Sequence, residues 1–422
     1  MLALIISLGL LIFWGSLRGA TILSLLFLLV RNIPWTKVFE FGLAFEKLTW
    51  AIGILTAILL VYCISAKSKD FELWLLTLVC ITFFITNRAI LFYFRYEAIL
   101  LPVVWLLLKA GREPERLTSS IYIVGYTFVG TLPMLIIGLS LMKSEGTERL
   151  RLLILSGISG WGFLVITLTF LVKLPIWGVH RWLPLAHVYS PLVGSIILAG
   201  ILLKAGAYGI HLTLCLVDGR CWSVFLVSSI GILGAILCFY SGTKEADLKS
   251  IIAFRSIIHI GVCVPILRFG SLSRLSALLA ILVGHGLARP ILFRVATSLG
   301  SSFNTRMLFF VKGLPTVRFA IIALTAVALS FNAGFPPRLN FIAELLGLLR
   351  CWGLGTPILL IFGCVFLAGG LYGIFIWIMV QQSTGKIGKV VNPNWKDVWG
   401  LSLLALMRVS WCLFILPKKA GE

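Results

Sequence analysis

Acidic residues are scarce in this chain: 15 Asp and Glu stand against 36 Lys and Arg, a net charge of +21. Charged residues of both signs make up only 12% of the sequence, against 60% hydrophobic. A soluble domain cannot hide that much apolar surface, so the soluble classes are excluded. Nine cysteines are present, but no CxxC pair and no Cys/His cluster, which argues against iron–sulfur or zinc centres and leaves the thiols as small packing groups. No GxGxxG opens a helix after a strand, and no GxxxxGK[ST] loop is present, so neither nucleotide-binding motif applies. The apolar runs do not alternate with polar residues, which excludes a β-barrel. The basic residues are spread over short loops with no arm or tail to grip a nucleic-acid backbone; anionic lipid is the better partner for them. The first apolar run starts at Leu2 with no basic flank or small-residue cleavage site, and reads as a retained helix and not a signal peptide.

What remains is a succession of apolar runs near the ~20 residues that cross a bilayer as helix. Roughly fourteen such segments are expected. They fall near residues 1–17, 19–31, 48–65, 71–87, 89–109, 119–142, 152–180, 191–214, 222–241, 247–267, 275–298, 318–350, 355–381 and 397–417. The fold class is therefore an all-α polytopic membrane protein. Pro175 and Pro184 are expected to break the 152–180 segment, and Phe335-Pro336-Pro337 the long segment 318–350. Two interrupted helices five segments apart suggest an internal repeat, and paired discontinuous helices point to a transport path. The organisation expected is N-terminal helices over 1–70, a first repeat over 71–214, a second over 222–381 and a C-terminal helix over 382–422. The loops between segments are short, as at Gly111–Arg116 and Ser241–Glu245.

Ionisable groups inside these segments carry the functional signal, because a charged side chain at the bilayer centre costs about 2.5–3.5 kcal/mol on insertion scales. Lys173 ends the apolar run 163–172 and is followed by Pro175, His180 and His187. Lys204 lies well inside the next segment. Burial disfavours the charged form of a lysine and a nearby carboxylate favours it, so such a residue can take up and release a proton. Glu97, in Phe92-Tyr93-Phe94-Arg95-Tyr96-Glu97, is the candidate carboxylate; the alternative is a static ion pair with Arg95 or an arginine of another helix. His259 and His285 can relay protons near neutral pH, or be hydrogen-bonded packing residues. Glu344 follows the second break and suits the exit of a relay. Asp247 and Lys249 mark a helix N-terminus, where the acid favours the helix dipole.

Taken together, several stretches resemble one family. They are Phe170–Pro175, His180 with Trp182-Leu183-Pro184, Ala186-His187-Val188, the run Leu198–Gly209, Asp247–Ala253, Gly284-His285-Gly286, and the Pro-Pro break leading to Glu344. They are similar to the antiporter-like membrane subunits of the proton-pumping NADH:ubiquinone oxidoreductase, respiratory complex I, which are related to the large subunits of multisubunit Na⁺/H⁺ antiporters. The likeness covers most of 40–380 and is strongest over 160–300. It implies an antiporter-like fold with two inverted repeats of five helices and two discontinuous helices. It also implies a proton path through Glu97, Lys173, Lys204, His259, His285 and Glu344, supported by His180, His187, Asp247 and Lys249. Position 344 helps separate the paralogues of this family, some with Glu there, as here, and others with Lys. The chain ends soon after its last segment, without the long lateral helix of the subunit 5 type.

The resemblance further implies location in the mitochondrial inner membrane. Implied partners are the subunit 5 and subunit 2 type neighbours, the lateral helix, accessory subunits and anionic lipids such as cardiolipin, with no nucleic acid. No cofactor or metal is expected in this chain; FMN, iron–sulfur clusters and ubiquinone would be held by other subunits. Arg255 stands where the family usually has a small polar residue, and Arg181, Arg289 and Arg294 stand at positions usually uncharged. These arginines either bias neighbouring protonation or arise from conceptual translation with the wrong genetic code. A stand-alone cation/proton antiporter subunit, and a passive scaffold in which the buried charges are structural pairs, are the rival readings.

Overall fold

In a computed structural model of the chain, the described residues are 71–109, 114–150, 158–214, 222–266, 271–303, 305–310 and 356–381, with single residues near 52–63, at 153 and between 325 and 345. The expected segments 1–17, 19–31 and 397–417, and the break at Phe335-Pro336-Pro337, lie outside the described residues. Regular structure is helical: α1 Phe71–Ile85, α2 Ala89–Ala98, α3 Leu100–Lys109, α4 Pro114–Glu145, α5 Gly160–Lys173, α6 Trp182–Tyr189, α7 Leu192–Ile197, α8 Leu203–Leu214, α9 Trp222–Thr243, α10 Leu248–Ile266, α11 Ser271–Phe303 and α12 Thr356–Gln381. Only two isolated bridges, Arg88–Arg149 and Asp247–Met307, depart from this among the described residues. Among the described residues, five helical runs are long and apolar enough to cross a membrane: 89–109, 114–145, 192–214, 222–243 and 277–301. Large apolar side chains stay exposed along them, including Ile136 at 68% and Phe94 at 59%, as a lipid-facing surface requires.

Helix ends follow local chemistry. The Ser159 hydroxyl caps α5 by accepting from the Gly162 N–H at 3.2 Å. Gly146, at φ 64°, ends α4 in the left-handed region that glycine tolerates. The 89–109 run is locally disturbed at Ile99, which keeps a helical conformation, because Pro102 has no N–H for the carbonyl four residues back and crowds it. The expected break in the 152–180 segment is present, with α5 ending at Lys173 and Gly178 at φ 101° within the turn. Pro184 does not contribute to it. It sits in the first turn of α6, where a missing N–H breaks no intrahelical bond. Ser241–Thr243, expected in a loop, complete α9, and Glu115 and Arg116 belong to α4.

The chain divides into two compact units, residues 1–174 with 200–224, and 175–199 with 225–422. In the first, α5 packs on α4 and α8. The α5–α8 approach depends on glycine: a Cβ at Gly206 would meet the Phe170 carbonyl at 3.2 Å, and one at Gly209 would run into the Phe170 ring. Around this contact Phe83, Phe92, Tyr96, Phe170 and Tyr208 form an aromatic core, with the Tyr96–Phe170 centroids 5.3 Å apart. In the second unit α10 packs on α6 and α11, and α7 packs on α11.

Candidate functional site

Among the described residues, each unit holds a cluster of ionisable groups. In the first, Lys173 ends α5 and is 1% exposed. Its ammonium donates to the Tyr96 carbonyl at 2.6 Å, lies 3.3 Å from the centre of the Tyr96 ring, and pairs with Glu97 Oε1 at 3.5 Å. Carbonyl, ring face and carboxylate together replace the water that burial removes. Glu97 keeps some exposure, with 22% of its side chain accessible, so the pair joins a buried base to a partly open acid. The expected alternative, a pair of Glu97 with Arg95, is not the recorded ion pair of Glu97. The Arg95 guanidinium instead donates to the Thr82 carbonyl at 2.8 Å and to the Thr86 hydroxyl at 2.5 Å.

Lys204 is fully buried at the start of α8. It follows a π-helical turn, Leu198–Leu202, in the 192–214 run. Such turns shift the side-chain register of everything after them and occur often at functional positions. An added Cβ at Gly200, within this turn, would strike Leu59.

In the second unit, His259 on α10 places Nδ1 2.5 Å from Glu344 Oε1. Its ring centre lies 6.4 Å from that of His285 on α11. The Arg289 side chain donates through Nε to His285 Nε2 at 2.9 Å and through a terminal nitrogen to the Ile252 carbonyl at 2.7 Å. His285 therefore presents Nε2 as an acceptor. Arg255 is 1% exposed beside Gly369, where a Cβ would stand 3.6 Å from its guanidinium. Lys249 donates to the Ser190 carbonyl at 3.0 Å, and the Ser190 and Ser195 hydroxyls lie 2.5 Å apart. His187 stacks on Phe293 at 4.4 Å, and His180 on Trp177 at 4.6 Å. Asp247 precedes α10, its carbonyl accepting from the Ile251 N–H at 2.9 Å.

The structure thus brings Glu97 to Lys173, and His259 to both Glu344 and His285. It buries Lys204 in the first unit, and sets Lys249 and His187 near the Ser190–Ser195 pair in the second. Sequence reasoning missed Tyr96, which supplies two of the three contacts to Lys173; an aromatic residue next to the only acid of its segment was the signal. Each cluster can hold a proton on one of two adjacent groups, the chemistry of a relay and of a static pair alike.

Comparison with known proteins then gives the kinship. The family model described as NADH:quinone oxidoreductase/Mrp antiporter, TM, matches residues 86–369. A chain named NADH-ubiquinone oxidoreductase chain 4 from Struthio camelus is 31% identical over 329 residues, covering 74% of this chain and 71% of that one. The protein of the same name from Lumbricus terrestris is 29% identical over 418 residues, 94% of this chain and 91% of the other. Among solved structures, one of respiratory complex I from Thermus thermophilus with bound NADH superposes with a TM-score of 0.81 at 20% identity, covering 96% of this chain and 93% of that one. One of the Mrp complex from Dietzia sp. does so with a TM-score of 0.81 at 14% identity, covering 98% and 90%. The buried lysines, the α5 break and these matches lead to one conclusion: the chain belongs to the NADH:quinone oxidoreductase/Mrp antiporter family of membrane subunits, within its NADH-ubiquinone oxidoreductase chain 4 group.

Proposed function

We propose that this chain is a proton-translocating membrane-arm subunit of respiratory complex I, in the mitochondrial inner membrane. The observation that carries the reading is the buried Lys173–Glu97 pair inside the matched span 86–369. Redox energy reaches the chain as altered electrostatics or hydration. The protonation of Lys173 depends on whether Glu97 is close. The relay runs through Glu97, Lys173 and Lys204, and through His259, His285 and Glu344. His180, His187, Asp247 and Lys249 support it. The fold that goes with this function has about fourteen membrane helices, two inverted repeats within 71–214 and 222–381, and a second interrupted helix before Glu344. The chain holds no redox centre of its own; FMN, iron–sulfur clusters and ubiquinone belong to other subunits. Its neighbours are the subunit 5 and subunit 2 type chains, the lateral helix, accessory subunits and anionic lipid.

A second reading, a subunit of a stand-alone cation/proton antiporter, draws on the fold likeness to the Mrp complex. Extraction in mild detergent separates the two. Co-migration of this chain with flavin and iron–sulfur subunits, and NADH-driven proton uptake by the reconstituted particle, are expected. Migration with cation-transport subunits and without flavin would contradict the proposal.

A further inference from the structure

The end of α4 and the start of α2 are tied by a short antiparallel bridge. The Ala89 N–H donates to the Glu148 carbonyl at 2.9 Å, and the Leu150 N–H to the Asn87 carbonyl at 2.8 Å. This pattern makes Arg88 and Arg149 a directly opposed, non-hydrogen-bonded pair, the arrangement in which facing side chains come closest. Like charges held directly opposite are unfavourable unless an anion lies between them. Both arginines are exposed, and neither has a recorded ion pair among the described residues. Lys143, in the last turn of α4, adds a third exposed cation. The acids of this corner are Glu145 and Glu148, also exposed. Glu148 neighbours Arg149 in the bridge, where successive side chains point to opposite faces, so it does not share the face of the two arginines.

Immediately beside this corner, between α2, α4, α5 and α8, lies a cavity of about 80 Å³. Its walls include Ile90, Phe92, Met134, Gly138, Met142 and Phe170, and only Tyr93 and Thr213 bring polar side-chain atoms to it. Such a wall rejects water and gains dispersion contacts from a hydrocarbon chain. The adjoining outer face of α4 is apolar and exposed at Leu132, Ile136 and Leu139, as a surface bathed in lipid would be.

Cationic corner and apolar cavity adjoin residue by residue: Ala89, Met142 and Leu150 line the cavity, and each is the chain neighbour of one of the three cations. From this juxtaposition we infer that the corner is a binding site for one anionic phospholipid. The phosphate lies between Arg88 and Arg149 with Lys143 beside it, and one acyl chain enters the cavity. Arginine suits the first task because its planar fork donates two parallel hydrogen bonds to phosphate oxygens. The inference needs only that the chain spans a membrane and does not rest on the pumping proposal.

The test uses the assembled membrane complex that carries this chain, placed in phosphatidylcholine nanodiscs with a small fraction of phosphatidylglycerol bearing a diazirine in its acyl chain. After photolysis, mass spectrometry of the peptide covering 134–142 reads the label. Labelling of this segment is expected, several-fold stronger than with a diazirine phosphatidylcholine at the same fraction. The Arg88→Gln/Arg149→Gln double variant is expected to lose most of that preference. Gly138→Leu is expected to lose the label itself, since a Cβ at Gly138 meets nothing within 4 Å and the larger side chain can occupy the space. Excess glycerol 3-phosphate should leave the labelling unchanged, because the headgroup alone lacks the acyl contacts. Should the double variant fail to assemble, Lys143→Gln and Gly138→Leu carry the same test. Equal labelling by both lipids, insensitivity to these variants, displacement by glycerol 3-phosphate, or a cross-link from 134–142 to a neighbouring subunit would each overturn the inference.

Discussion

A lysine side chain taken out of water needs replacement partners, and Lys173 finds all three recorded ones on two consecutive residues, Tyr96 and Glu97. Removing either member of the Lys173–Glu97 pair leaves the other in low dielectric without its counter-charge. Double-mutant cycles on proton pumping with Lys173→Ala and Glu97→Gln should therefore show a coupling of about 0.5–3 kcal/mol, and strict additivity would show that the pair does not act together. The Tyr96 contribution can be divided. Its hydroxyl has no hydrogen-bond partner among the described residues, while its ring face and backbone carbonyl meet the ammonium. Tyr96→Phe is expected to leave thermal stability and pumping near the parent level. Tyr96→Leu, which removes the ring, is expected to lower stability by about 0.5–2 kcal/mol; equal effects of the two substitutions in thermal unfolding would refute the ring contact. The candidate residues were legible as ionisable groups in apolar runs, and so was Glu97 as the carboxylate for Lys173. Glu97 and Lys173 are 76 residues apart, so the sequence alone left the static pair with the nearer Arg95 open as the alternative. Peptide masses covering positions 255 and 289 bear on the second cluster: the Arg289–His285 bond exists only in a chain that carries arginine there.

Among the elements, the tight contact of α8 on α5 rests on Gly206 and Gly209. An added methyl at Gly209 collides with the Phe170 ring, which also walls the Lys173 site, whereas Gly138 on α4 has open space. Gly209→Ala is therefore expected to cost about 1–3 kcal/mol and to lower the amount of assembled complex, with Gly138→Ala near neutral; native-gel quantification that found both variants equal would contradict the packing described. Apolar run length made the helices at 114–145, 222–243 and 248–266 legible to within a few residues. Proline was a less uniform guide. Pro175 lies in a real break, Pro184 falls harmlessly in a first turn, and Pro102 locally disturbs a segment that run length alone reads as continuous. The difference is where each proline stands relative to a helix start, which composition does not reveal. The π turn at 198–202 was likewise hidden, since a one-residue change of register leaves the apolar pattern almost intact.

For the whole molecule, family kinship was legible because the motifs around Lys173 and Lys204 are dense and contiguous, and the match over 86–369 carries the same blocks. The division into units was not, since it assigns 175–199 to the second unit and 200–224 to the first, and so cuts through the helical run that bears Lys204. Residues 193–211 of that run are buried. A charged residue there is either a static fixture or a carrier. If it is a carrier, neutralising it stops transport without disturbing assembly. The direct measurement is the proton-to-electron ratio of an assembled Lys204→Ala complex in proteoliposomes, read by a pH-sensitive dye during NADH oxidation. A large loss of pumping, with the subunit complement intact, is the expected result; an unchanged proton-to-electron ratio would contradict the proposed relay.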